Sequence, residues 1–274
     1  MKKIKSLIFC ISLFFCFLGQ AGIGDWYIFQ PDKKSVFNKC KAASTRGHLI
    51  INETISRGSE KIRFYHQNQS GAKAIIIHFH GNAGSACGRV PLAERLTGIK
   101  VNYIFVEYPG FGKGERRPTQ KRTLKNALKV FDYIQSKMNP MDLPIFAHGT
   151  SLGTGVATYL AWKRPLDGII LHAPYTSMKD VADHLFKWGG RFVKKYTFMA
   201  ENWAPFVTAP TLSLHARVDE MIPLRIGEEQ RSNFMNVDFL DSVILDKGNH
   251  MGIYNNELYW WSISNFIKKV LPII

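Results

Sequence analysis

Four stretches of this chain are apolar almost without a break: AKAIIIHFH at 72–80, VNYIFVEY at 101–108, LPIFAHG at 143–149 and DGIILHAP at 167–174. A strand with one wet face alternates apolar and polar residues. A short run that does not alternate, rich in Ile and Val, suits a strand buried on both faces. Such strands need cover on both sides, and the intervening segments can supply it. In RPTQKRTLKNALKVFDYIQSKM, Leu124, Ala127, Leu128, Phe131, Ile134 and Met138 share one helical face and lysines take the other. SLGTGVATYLAWKR, PLRIGEEQRSNF and ELYWWSISNFIKKVL read as further helices. APTLSLHAR and VDFLDSVILD read as further strands, and HLIINETI and EKIRFYHQ as two strands joined by a turn around Arg57-Gly58. Alternating strands and helices predict an α/β fold with a mostly parallel central sheet and helices on both faces. In such sheets function collects in the loops at the carboxyl ends of the strands.

The ends of the chain read differently. MKKIK is basic, SLIFCISLFFCFLG is apolar but short for a bilayer span, and Gly19-Gln20-Ala21 offers small residues for cleavage. The expectation is a signal peptide over 1–21, cut after Ala21, and export to the periplasm or medium; an uncleaved membrane anchor is the alternative. Cys10 and Cys16 fall inside that segment. Cys40 and Cys87 remain, and in an oxidising compartment they either pair or stay as two free thiols. Residues 22–274 then form one domain. Within it, Asp25 to Ser44 reads as an irregular lead-in. The stretch 175–207 has no clear strand and carries Phe186, Trp188, Phe192, Tyr196, Phe198, Trp203 and Phe206. It reads as a short helical lid inserted over the strand ends.

The motif HGTSLGTG follows the third apolar run. Gly149-Thr150-Ser151-Leu152-Gly153 fits G-x-S-x-G between a strand and a helix, the setting of a nucleophile elbow. A serine needs a base to take its proton and N–H donors to stabilise the oxyanion. The Leu152 N–H is one donor. HFHGNAGS, at the end of the first run, offers the N–H of Asn82 (or Ala83) as the second. HARVDEMIP places Asp219 just past a strand, and DKGNHMG places His250 just past the last one. Nucleophile, acid and base thus follow in the order Ser, Asp, His. Glu220 and Asp246 are rival acids, and His172 is the rival base or a satisfied core histidine. His78-x-His80 has the spacing of a metal pair on one strand face, but no Asp-His partner lies nearby. No metal or cofactor is expected.

HGNAGS, EYPGFGKG, HGTSLGTG, APYTSM, HARVDEMIP and KGNHMG together resemble the α/β-hydrolase superfamily over nearly all of the mature chain. HGNAG resembles a compact group of serine hydrolases that includes membrane-associated lipid and protein-thioester hydrolases and serine-aminopeptidase-like proteins. The resemblance implies an α/β-hydrolase fold. It implies triad roles for Ser151, Asp219 and His250, with Asn82 and Leu152 at the oxyanion hole. EYPGFGKGERRP departs from the pattern by ending in charged residues where relatives often have a small polar one.

The expected function is hydrolysis of a carboxylic ester or thioester, with a lysophospholipid or fatty ester as substrate. The alternatives are a catalytically silent hydrolase fold used for binding at a membrane or envelope surface, and a serine peptidase. The 36 Lys and Arg against 21 Asp and Glu give a net charge of +15. They are scattered, so no nucleic-acid partner is expected. A solvated basic surface is the first reading and peripheral attraction to anionic membrane the second.

Overall fold

A computed structural model describes residues 28–31, 51–57, 60–186, 191 and 198–271. The segment read as a signal peptide, Cys40, and Trp188, Phe192 and Tyr196 of the stretch read as a lid lie outside the described residues. The main sheet is built from β2 (Ile51–Arg57), β3 (Glu60–Gln67), β4 (Ala74–Phe79), β6 (Val101–Val106), β7 (Ile145–Thr150), β8 (Gly168–His172), β9 (Thr211–Ala216) and β10 (Leu240–Leu245). Their order across the sheet is β10-β9-β8-β7-β4-β6-β3-β2. From β10 to β6 all neighbours are parallel, and the β2–β3 and β3–β6 pairs are antiparallel. The apolar runs are these central strands, and every residue of β4, β7, β8 and β9 is buried.

Alternation along the strands feeds two cores. Ile75, Ile77 and Phe79 of β4 and Ile145 and Ala147 of β7 face one of them. It is closed by α1 (Gln120–Tyr133), α2 (Leu152–Lys163) and α3 (Met178–Leu185), with Ile226 of α4 (Leu224–Ser232). Ala74, Ile76, Phe146 and Ile170 face the other, under a 3-10 helix (Cys87–Arg95) and α5 (Glu257–Val270). Each large apolar side chain so buried contributes roughly 1.5–3 kcal/mol. The spacing in α1 does most of what it predicts: Leu124, Ala127 and Phe131 are buried and Leu128 is half-buried, while Val130, outside the expected set, is buried too. That helix stops at Tyr133, and a π turn (Ile134–Met138) completes the stretch read as one helix. Thr119 caps its start by accepting the Arg122 N–H at 3.2 Å.

Two local expectations are corrected. The lead-in is not wholly irregular, for it pairs with the HGNAGS loop. β1 (Gln30–Pro31) pairs in parallel with β5 (Ala83–Gly84), beside the main sheet. Two-residue strands leave no periodicity to read. His78 and His80 do not share a face either. β4 ends at Phe79, so His78 packs on Tyr103, Phe105 and His148, while His80 turns to Tyr108 and Phe111.

Candidate active site

β4 is the strand from which the chain goes to opposite sides, first to β6 and then to β7. Loops after neighbouring strands diverge at such a switch point and leave a crevice. His78 of β4 pairs with His148 of β7, so the loop after β4 and the turn after β7 open side by side. Ser151 sits in that turn with φ 52° and ψ −121°. A residue with a side chain held there costs on the order of 1–3 kcal/mol, so the surroundings must impose it. They do. The Ser151 N–H donates to the His172 carbonyl at 2.8 Å, and the Ser151 carbonyl accepts the Thr154 N–H at 2.8 Å and the Thr154 hydroxyl at 2.7 Å.

The flanking glycines make this geometry available. A Cβ on Gly153 would run into the Phe79 carbonyl and lie 2.9 Å from the His80 oxygen. A Cβ on Gly149 would lie 2.6 Å from the Thr154 Cα. All of these obstacles are backbone, which cannot swing aside. α2 therefore starts hard against the end of β4, and its first N–H groups have no acceptor within the helix. Leu152, the first helical residue, is buried at that point.

The loop after β4 is held from below. The Tyr108 hydroxyl donates to the His80 carbonyl at 2.8 Å. The Ala86 N–H donates to buried Glu107 Oε1 at 3.0 Å. On the outer side the Asn82 carbonyl accepts the Gln30 N–H at 2.8 Å. Asn82, Ser151 and Leu152 line one cleft.

Asp219 and His250 meet. Asp219 Oδ2 accepts from His250 Nδ1 at 2.7 Å, and its Oδ1 accepts the N–H groups of Met221 at 2.9 Å and Ile222 at 2.7 Å. Burial by itself raises the Asp219 pKa. The His250 hydrogen bond and charge, the Ile222 N–H and the charge of His215 outweigh it and hold the carboxyl below its usual value. The rivals have other work. Glu220 accepts the His250 backbone N–H at 3.2 Å and the Asn249 amide at 3.0 Å, which fixes the loop and not the ring. Asp246 pairs with Arg217 on the surface. His172 is fully buried, and burial followed by the nearby histidines drives its pKa well below 6.5. Its Nε2 lies 2.9 Å from the His250 carbonyl.

Ser151, Asn82 and Leu152 thus come together in one cleft, and Asp219 with His250 in a hydrogen-bonded pair. Ile222 and Met221, next to Asp219, line the same cleft. Its far wall is the apolar stripe of α3: Met178, Val181, Ala182 and Leu185, continued by Phe186. Ile28 closes another side. Ile28 was missed in the sequence because a single residue in an irregular segment gives no pattern. The stretch 175–207 holds, among its described residues, α3 and two 3-10 turns (Ala200–Asn202 and Ala204–Phe206). Phe198 is fully buried and packs edge-on to Phe29, whereas Phe186 and Phe206 are exposed.

A family model described as serine aminopeptidase, S33, matches residues 70–206. Among curated proteins, the lysophosphatidylserine lipase ABHD12 of Danio rerio is 28% identical over 187 residues, 61% of this chain and 48% of that protein. The chain therefore spans about half the length of the ABHD12 relatives it matches. A Salmonella typhi protein, YfhR, is 27% identical over 217 residues, 73% of each. Among solved structures, the Pyrococcus furiosus esterase Pf2001 superposes with a TM-score of 0.71 at 15% identity, covering 89% of this chain and 99% of that one. Est1E from Butyrivibrio proteoclasticus gives 0.65 at 19%, covering 80% and 98%. At these identities the likeness establishes the α/β-hydrolase fold.

Proposed function

Because the chain belongs to the serine aminopeptidase, S33, family of α/β-hydrolases, we propose that it is an exported serine hydrolase that cleaves carboxylic esters or thioesters through an acyl-enzyme on Ser151. The observations that carry this reading are the strained Ser151 turn and the buried Asp219–His250 pair, both tied by hydrogen bonds to His172. In the proposed cycle Ser151 Oγ attacks the ester carbonyl carbon while its proton passes to His250 Nε2. Asp219 keeps Nδ1–H in place and stabilises the imidazolium. The oxyanion is met by the N–H groups of Leu152 and Asn82. His250 then gives the proton to the departing alcohol, and water repeats the sequence to release the acid.

The walls of the cleft support an apolar acyl chain. Met178, Val181, Ala182, Leu185 and Ile28 offer it no hydrogen-bonding side chain. Several relatives are named as a lysophosphatidylserine lipase, in line with a lysophospholipid or fatty ester as substrate. Reaction of the purified protein with a fluorophosphonate, together with p-nitrophenyl esters of increasing length and an aminoacyl amide, tests the reading. Labelling at Ser151 and preference for longer acyl esters are expected. Ala182→Trp should cost the longest chains about tenfold in kcat/KM and spare acetate. Exclusive turnover of the amide would favour a peptidase, and no labelling at all a silent binding fold.

Export is supported by the N-terminal pattern and by Cys87, which is disulfide-bonded. N-terminal sequencing of secreted protein should begin at Gly22; an intact Met1 would favour the anchor. Peripheral contact with anionic membrane is supported by the +15 charge and by exposed Phe186, Val218 and Met251, the latter two flanking Asp219 and His250. Cosedimentation with anionic vesicles, weakening as salt rises, checks it.

A further inference from the structure

A buried polar seam runs under the site, between the sheet and α5. Tyr103 of β6, His148 of β7, His172 of β8 and Tyr259 of α5 are each at most 1% exposed, beside buried His78 and among the apolar side chains of that core. The Tyr103 hydroxyl lies 3.1 Å from His148 Nδ1, and His148 Nε2 lies 3.0 Å from the Tyr259 hydroxyl. That hydroxyl is 3.4 Å from His172 Nδ1, and His172 Nε2 is 2.9 Å from the His250 carbonyl.

The last contact orders the rest. A carbonyl only accepts, so His172 Nε2 carries a hydrogen. Burial pushes the pKa of His172 well below 6.5 and that of His148 to about 3, so both rings are neutral. Among the groups facing His172, the charges of His250, His148 and His215 disfavour a charge on it, the His250 carbonyl favours one and is outweighed, and Tyr254 packs edge-on to its ring. A neutral His172 leaves Nδ1 bare, so it accepts from the Tyr259 hydroxyl. Tyr259, having given its one proton away, accepts from His148 Nε2–H. His148 Nδ1 then accepts from Tyr103. One assignment of protons satisfies all four contacts, and every donor points the same way, towards the loop that carries His250.

His172 has a second attachment. Its own carbonyl accepts the Ser151 N–H at 2.8 Å. One residue at the end of β8 therefore grips the elbow through its backbone and the His250 loop through its ring. We propose that His172 is a positioning residue that sets the spacing of Ser151 and His250, with the Tyr103–His148–Tyr259 chain fixing its tautomer. It exchanges no proton with substrate. The proposal rests on the triad reading above, because spacing matters only if Ser151 and His250 react together. A misplacement of about 1 Å in such a pair can cost a hundredfold in rate.

Two measurements on the full chain test it. The first needs no substrate. With ¹⁵N-labelled histidine, His148 and His172 should both appear as neutral Nε2–H tautomers from about pH 5 to 8, across the usual histidine pKa. In His172→Phe the resonance of the His250 Nδ1–H that faces Asp219 should move. A cationic or Nδ1–H His172, or an unmoved His250 signal, overturns the proposal. The second compares ester kinetics and fluorophosphonate labelling rates. His172→Phe should lower kcat and the labelling rate about 10- to 100-fold and leave KM within about twofold. His172→Gln, whose amide can still donate to the His250 carbonyl, should recover most of the loss. Equal losses in the two variants, or a loss confined to KM, overturn it. Should His172→Phe fail to fold, Tyr259→Phe removes only the hydroxyl that donates to His172 and accepts from His148, and unchanged kcat there sinks the idea. Wild-type protein that neither labels nor turns over esters defeats the catalytic reading instead, and the tautomer measurement still decides the chain.

Discussion

Ser151→Ala should lose ester turnover by about 10⁴- to 10⁶-fold in kcat and lose all fluorophosphonate labelling. The expectation follows from what the variant removes and what it keeps. It deletes the one oxygen that would bond to the acyl carbon. It keeps the proposed Leu152 and Asn82 donors and the Asp219–His250 pair, so a residue of catalysis over water should persist through oriented binding and a polarised carbonyl. The fold should barely notice. Alanine has the same Cβ as serine, so the strain at φ 52° is unchanged, and the bonds that impose it are all backbone bonds of this residue. A Ser151→Ala protein that melts like wild type but has lost its turnover would tie the rate to the hydroxyl. Equal labelling of the variant would falsify the acyl-enzyme.

Asp219→Asn should cost about 10⁴-fold in kcat, nearly as much as losing the base. The reason is the hydrogen-bond set around the carboxylate. Oδ1 accepts two backbone N–H groups and Oδ2 accepts His250 Nδ1–H. An asparagine can satisfy the two backbone donors only with its oxygen, which turns its NH₂ towards His250. The imidazole must then accept at Nδ1 and carry its hydrogen on Nε2, where it can no longer take the serine proton. Glu220→Gln and Asp246→Asn should stay within several-fold of wild type, since Glu220 contacts the His250 backbone and Asp246 faces Arg217. Full activity in Asp219→Asn with loss in Asp246→Asn would reassign the acid. The wild-type pH dependence carries the same signature. A carboxyl whose folded pKa is depressed contributes stability above its unfolded pKa, and this is lost as pH falls through the folded value. Asp219 should therefore stay ionised at pH values where ordinary carboxylates begin to titrate.

The order of strands and helices was legible because it rests on local periodicity. A strand buried on both faces must be apolar throughout, and a helix on a sheet must repeat every three to four residues. The elbow was legible for a related reason. Backbone of the β4 end and of α2 itself lies where side chains on Gly153 and Gly149 would go, so the glycines had to be written into the chain. Asp219 and His250 could be nominated because each follows a strand, and strand ends are where an open sheet gathers its side chains.

The choice among rivals rested on chain order and resemblance, because no local pattern separates them. Asp219, Glu220 and Asp246 are all acids near strand ends, and only the packing of β9 beside β10 brings one of them onto Nδ1 of His250. Ile28, the β1–β5 pairing and the opposite faces of His78 and His80 were likewise invisible, because each depends on a contact between distant segments or on the residue where a strand stops. His172 shows the division most clearly. In the sequence it is one more histidine after one more apolar run, a rival base or a satisfied core histidine. Local pattern determined the sheet, its cover and the serine turn. Tertiary structure alone decided which histidine meets a carboxylate and which is sealed beneath it, because that depends on burial and on what lies across the sheet.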